Sequence, residues 1–431
     1  MNQTKVIIIG AGAAGLMAAR VLKEQGIDFI ILESTHRLGG RAQTLKSTPH
    51  IEYGPEYLHG ETPLTDKLIE RFGLTTYDVK FDYHLFKDGE LKPTPDFWDR
   101  LTHVMEDIDL KNDISFADYL QKYDQNSKVD QDMARVFVEG FDAADLDTIS
   151  SKELHDMKEQ VADPKIRKLR RLLNGYGELI ENMAQDLLPR IYFSHIVEEI
   201  IWERNKVIVR GAIKEEDIPF EFVGERVINT VSIGVLRNLF IGPMPDLLTH
   251  FLDQVEMGQV VKMIGEFHPA FFYAFEDHSF PFVAAPDLNY SAWWSSSPLH
   301  LPIVTAWCGG ARARKLTKMT EDQRKEIYIQ ELAKISSLSP EEVRCQIINI
   351  HHHSWDEDPS FLGAYSYPRV NYRRMTEMVT NFEDTLYFAG EAFHENMSGT
   401  VEGALTSGKK VAEAIADDIQ MRSDLSLSGF L

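Results

Sequence analysis

Four β-branched apolar residues in succession, Val6 to Ile9, give way to a glycine-rich break and then to helical spacing. An unbroken apolar run of that kind suits a strand buried on both faces, as in a parallel sheet. Ala13 to Glu24 fits a helix opening directly on the glycines, and Phe29 to Leu32 returns as a second apolar run ending at Glu33. Together they predict a βαβ unit of about 30 residues. Further on, Tyr192 to Arg210 reads as a hairpin turning at Arg204-Asn205. Val227 to Val231, Leu301 to Cys308 and Leu386 to Ala389 read as strands, and Val255 to Phe275 has strand character. The stretch from Thr65 to Leu173 is charged and patchily apolar. Helical spacing at Asp96 to Asp107, Phe116 to Tyr123 and Val129 to Phe137 marks it as a helical insertion or lid. Helices are also predicted over Glu178 to Leu187, Thr320 to Ile335 and Gly403 to Ile419, with residues 421–431 as a frayed tail.

The break itself carries chemistry. Gly10, Gly12 and Gly15 form G-x-G-x-x-G: the first allows a tight turn, the second lets backbone approach a pyrophosphate, the third lets helix and strand pack closely. The helix that opens at Ala13 presents free N–H groups to an anion. Glu33, 23 residues after Gly10, can accept both hydroxyls of an unphosphorylated ribose, which disfavours NADP. The ligand is then FAD or NAD, and this stretch alone does not separate them. Gly39-Gly40-Arg41 places a permanent cation within reach of the same pyrophosphate.

Length and charge narrow the setting. At 431 residues the chain exceeds one ordinary core, so two sequential or intertwined domains are expected. Its net charge of −22 disfavours a nucleic-acid partner and steers small cations inward. No run of about 18 apolar residues predicts a membrane span. The first strand begins too early for a signal peptide, and Cys308 and Cys345 are the only cysteines, so a cytoplasmic protein without a disulfide scaffold is expected. Successive histidines on a strand alternate faces, so His351 to His353 do not predict a metal site.

The βαβ unit, the Gly39-Gly40-Arg41 element, and SWDEDPSFLGAYSYP (354–368) with LYFAGEAFHENMSGTVEGALTSG (386–408) together resemble the flavin-dependent amine oxidase superfamily, nearest in motif to polyamine oxidases. The resemblance covers most of the chain. It implies an α/β fold: a Rossmann-like FAD-binding domain drawn from residues 1–75, 175–245 and 365–420, interleaved with an α+β substrate-binding domain from 76–174 and 246–364 that includes the helical region. It implies FAD, with Glu33 on the adenosine ribose, Arg41 and Gly40 at the pyrophosphate and the Val197 backbone bracketing adenine. Gly390 and Glu391 would hold the ribityl chain, the Val401 N–H would meet the pyrimidine carbonyl, and Trp355 and Thr400 would lie near the flavin. Ala364 stands where covalent members carry cysteine, so the FAD is expected to be noncovalent.

On the substrate side the resemblance points to Lys262 in MGQVVK, which would hold a water against flavin N5. An inward lysine on an apolar strand is costly unless paired or hydrated. His59 in GPEYLHG would contact the substrate nitrogen, and Tyr365 would form one wall of the amine space. Glu56 departs from the polyamine-oxidase pattern, and a carboxylate there would either pair a substrate ammonium or cap a turn. Tyr57 stands where amino-acid oxidases place an arginine, and Thr400 where monoamine oxidases place a second tyrosine, so simple amines rank above amino acids. The implied activity is amine C–N oxidation through hydride transfer to the flavin, giving an imine and then an aldehyde, with molecular oxygen as acceptor and hydrogen peroxide as product. The alternatives are a flavoprotein acting on a C–C bond and a flavin-stabilised interaction protein.

Overall fold

The computed structural model describes residues 2–122, 127–155, 167–275 and 278–428. Two sheets organise the chain. The first has nine strands, and its main path runs Ile191–Tyr192, Phe29–Leu32, Asn2–Ile9, Ile218–Asn229, Lys206–Ile213, His195–Glu203 and Phe240–Gly242. Leu386–Phe388 also pairs in parallel with the end of Ile218–Asn229, and Asn381–Phe382 joins it. Asn2–Ile9 lies between two parallel neighbours, which is why its apolar residues alternate between two cores rather than between core and water. One face is covered by the helices Ala13–Glu24 and Val401–Ser428, the other by Asp246–Gln254. The two covering helices touch closely: a Cβ on Gly408 would come within 2.2 Å of the Ala14 carbonyl oxygen.

The second sheet has seven strands in the order Ile347–His353, Val260–Phe267, Ile303–Gly309, Ala292–Ser295, Phe282–Ala284, Tyr83–Lys87 and Glu90–Pro93. Its outer face packs Phe267, Trp293 and Val304 against Tyr328 and Leu332 of the helix Glu321–Ser336, whose start is fixed by a capping box of Thr320 and Gln323.

Three expectations need correction. Among the described residues of 65–173, the helices Pro63–Phe72, Phe97–Val104, Phe116–Lys122 and Lys128–Phe141 share the stretch with four strands that were not expected, Thr76–Val79, Tyr83–Lys87, Glu90–Pro93 and Leu169–Leu172. These strands are four or five residues long and mix charge with apolar groups, so their period is too short to register. The strand character at Val255 to Phe275 splits, ending at Phe267 before a 3₁₀ turn over Pro269–Ala274. The terminal helix continues to Ser428, where a frayed tail was expected from 421; no proline interrupts it, and Asp418 is held by Arg226 and Arg422. Residues 429–431 lie outside the described residues.

Candidate active site

A single cavity of about 500 Å³ runs from the glycines of the first turn to Lys262 and Trp294 on the second sheet. At the glycine end, Gly10 adopts φ +103°, and a Cβ on Gly15 would lie 2.0 Å from the Gly10 carbonyl oxygen. A Cβ on Gly12, by contrast, would have no atom within 4 Å, because Gly12 faces the open cavity at the start of the helix. That is a cradle shaped for a group approaching backbone N–H donors.

Glu33 is buried beside it. Its Oε2 accepts from the Ala11 N–H at 2.8 Å, and its Oε1 accepts from the Thr35 N–H and hydroxyl at 2.9 and 2.7 Å. The carboxylate is thereby fixed in orientation, with lone pairs left for a diol. Arg41 donates to the Ala364 carbonyl at 2.7 Å and to Glu391 at 2.8 Å. Glu391 also accepts from the Ser366 hydroxyl at 2.7 Å and the Gly399 N–H at 2.9 Å, which ties together the three loops around Arg41, Ala364 and Gly390. Thr400 caps the terminal helix, donating to Met397 O and accepting from the Gly403 N–H, and Val401 is the first helical residue. Trp355 lines the cavity and donates to Tyr53 O at 3.2 Å. Gly40 and Ala13 line it too; Val197, on the strand His195–Glu203, packs against the second core and is not among the lining residues.

At the other end Lys262 is 2% exposed and fully partnered. Its ammonium lies 2.6 Å from Glu56 Oε1 and donates to the carbonyls of Glu52 and Gly54 at 2.7 and 3.1 Å. The Oε2 of Glu56 accepts from Arg171 at 2.8 Å and from the Trp294 indole at 3.1 Å. Burial alone would push the Glu56 carboxyl up, but the Lys262 and Arg171 cations together hold it below its ordinary value. Glu56 is therefore a structural counter-ion to two cations, and the alternatives of a substrate-ammonium partner or a turn cap give way to this. Arg171 also lies over the Tyr57 ring at 4.5 Å and is buried away from the cavity.

Tyr365 lines the cavity with its hydroxyl donating to Phe141 O at 2.9 Å. His59 packs edge-on to Tyr57 and Phe141, and burial pushes its pKa down to about 4. Its imidazole is neutral in the native state while an unfolded histidine titrates at 6.5, so this group withdraws stability as pH falls from 6.5 towards 4. A His59→Gln variant is expected to soften that part of the thermal stability curve relative to wild type, read as Tm from pH 4 to 8. Identical pH dependence in the two proteins would refute it.

Several residues of the site escaped sequence reasoning. Arg171 sits inside the basic run RKLRRLL and carries no local sign of burial. Phe81, Tyr83, Trp98, Phe137 and Phe141 come from the region read as a lid, and Asp142 directly follows them. The three histidines of Ile347–His353 behave as a strand should: His351 faces Glu266 at 3.3 Å and His353 lies 3.6 Å from Asp358.

A glycine-lined cradle with a buried ribose-type acceptor, continuous with an aromatic chamber, defines a dinucleotide-cofactor enzyme of mixed α/β fold. Comparison with known proteins gives the family. Residues 13–416 match the flavin containing amine oxidoreductases, and the chain belongs to that family. It is an FAD-dependent oxidoreductase acting on amines. Among its relatives, probable polyamine oxidase 4 of Arabidopsis thaliana is 28% identical over 457 residues, covering 95% of this chain and 86% of that protein. Human amine oxidase [flavin-containing] B is 21% identical over 476 residues, covering 96% and 86%. Putrescine oxidase bound to putrescine superimposes with a TM-score of 0.82 at 18% identity, covering 96% and 99% of the chains. Cyclohexylamine oxidase from Brevibacterium oxydans gives 0.80 at 16% identity, covering 97% and 99%. At these identities the two structures bear on the fold.

Proposed function

We propose that this enzyme oxidises the C–N bond of a small amine, using noncovalently held FAD and molecular oxygen and releasing hydrogen peroxide. The observation that carries the reading is the continuity of one cavity between the Gly12 and Glu33 cradle and the aromatic chamber beside Lys262. Gly12, Glu33, Arg41 and Glu391 would hold the dinucleotide, and the open space over Gly12 fits its pyrophosphate. When bound, the flavin supplies a hydride acceptor for the carbon next to nitrogen.

The rest is the work of the chain. Tyr57 and Tyr365 position the amine and exclude bulk water, and neutral His59 offers an uncharged hydrogen-bonding partner near the substrate nitrogen. Lys262, its three N–H donors taken by Glu56 and the Glu52 and Gly54 carbonyls, would act as a fixed positive charge in a dry setting rather than as a direct holder of water. The resulting imine hydrolyses to an aldehyde and a smaller amine. Alanine at position 364 leaves no thiol for a thioether. The two free cysteines, Cys308 buried and Cys345 exposed, suit a reducing cytoplasm.

Anaerobic titration with polyamines, arylalkylamines and amino acids tests the reading. The oxidised flavin band is expected to bleach with amines but not with amino acids, and to return with peroxide when oxygen is admitted. Acid precipitation is expected to leave all the flavin in the supernatant. A band that persists across the amine panel would overturn the proposal, and flavin retained in the pellet would overturn noncovalent binding.

A further inference from the structure

Among the described residues, five carboxylates line the cavity: Glu33, Glu56, Asp142, Glu391 and Glu402. Four are committed: Glu33 to Ala11 and Thr35, Glu56 to Lys262 and Arg171, Glu391 to Arg41 and Ser366, and Glu402 to the Leu64 and Thr65 N–H groups. Asp142 differs. Its Oδ2 is buried with no hydrogen-bond partner, and burial, unopposed by any cation, pushes its carboxyl up to about 8. Of the cations lining the cavity, Arg41 and Lys262 belong to other carboxylates, and Arg167 lies over Trp98 with Asp99 3.7 Å away. An unpaired buried carboxylate is costly and is offset by a ligand that brings a cation.

The walls beside Asp142 say what accompanies that cation. Seven rings close on themselves, each about 5 to 6 Å from the next: Tyr57 to His59 at 5.9 Å, His59 to Phe141 at 5.3, Phe141 to Phe137 at 5.0, Phe137 to Trp98 at 5.8, Trp98 to Tyr83 at 5.9, Tyr83 to Phe81 at 6.1, and Phe81 back to Tyr57 at 5.9. All seven line the cavity. Such a belt favours a methylene chain or a single organic ammonium.

We propose that Asp142 is a specificity-determining residue that binds one second, non-reacting ammonium of the substrate, so that the preferred substrates are diamines with an apolar spacer. This rests on the amine-oxidase reading above. Tri- and tetra-amines bring further ammonium groups that meet no free carboxylate among the described lining residues, and plain monoamines leave Asp142 uncompensated.

The test compares wild type with Asp142→Asn on 1,4-diaminobutane, n-butylamine and spermine. Wild type is expected to prefer the diamine in kcat/KM, and the asparagine variant to lower the ratio of diamine to monoamine at least tenfold, through KM. In anaerobic thermal scans, 1,4-diaminobutane is expected to raise Tm of wild type and to lose most of that effect in Asp142→Asn and Asp142→Leu, while the ligand-free variants melt no lower than wild type. An unchanged ratio together with an unchanged diamine Tm shift would overturn the role. Equal losses on diamine and monoamine would also overturn it, placing Asp142 at the reacting nitrogen instead. If no amine bleaches the flavin, the amine-oxidase reading fails, and the Tm shift still decides whether Asp142 takes a diammonium ligand.

Discussion

A Gly12→Val variant is expected to fold with the melting temperature of the wild-type apoprotein and to purify without colour. The added side chain starts from a Cβ with no atom within 4 Å, in extended backbone at φ −78° and ψ −177°, so it strains nothing. It does fill the space over the helix N-terminus, where the first backbone donors face the cavity, and so displaces the pyrophosphate. Gly15→Val, three residues on, is expected to fail differently. Its Cβ would stand 2.0 Å from the Gly10 carbonyl oxygen, forcing strand and helix apart, with a cost of about 3 kcal/mol or more. Absorbance at 450 nm after purification, flavin binding by fluorescence titration and Tm of the stripped proteins separate the two. A yellow Gly12→Val protein with wild-type flavin affinity would mean that the dinucleotide does not lie over Gly12.

The contrast between those glycines was legible in the sequence because everything that creates it lies within 33 residues. The strand Asn2–Ile9, the helix Ala13–Glu24 and the acid at 33 each carry their own local signature, and the structure places them in one turn. The substrate end had no such signature. Lys262, Glu56 and Arg171 form one ion cluster from three distant segments, and nothing in RKLRRLL separates the buried Arg171 from its exposed neighbour Lys168. Family resemblance singled out Lys262, and Glu56 stood out as a departure from the polyamine-oxidase pattern with its role open, but neither observation revealed that each is the other's counter-ion. The strands Tyr83–Lys87 and Glu90–Pro93, the second of them at the sheet's edge, were missed because both are short and carry polar residues that blur the alternation. Asp142 was invisible for a related reason. A carboxylate after a helix reads as a solvated end, whereas here the Tyr365 hydroxyl holds the Gly140 and Phe141 carbonyls just before it and Asp142 lines the cavity.

That counter-ion relation sets the expected result for Lys262→Met. The variant removes an ammonium that is 2% exposed and leaves Glu56 with Arg171 and Trp294 alone, so the folded state is expected to lose about 3 kcal/mol. Bound FAD is expected to survive, because the cradle at Gly12 and Glu33 makes no contact with Lys262. The rate of flavin bleaching by amine, or of its recovery in oxygen, is expected to fall on the order of 100-fold, as when one preorganised charge is removed from a dry site. Stability and rate are then separated by the double variant Lys262→Met, Glu56→Gln. Neutralising Glu56 as well leaves the buried Arg171 without its carboxylate, so Tm is expected to fall below that of the single variant while the rate stays where Lys262→Met left it. A rate that falls further in step with Tm would make the lysine a support for the fold and nothing more, and wild-type rates in the single variant would remove it from the chemistry altogether. Urea melts monitored at the flavin band, beside stopped-flow traces for the three variants Lys262→Met, Glu56→Gln and the double, give both readings on the same preparations.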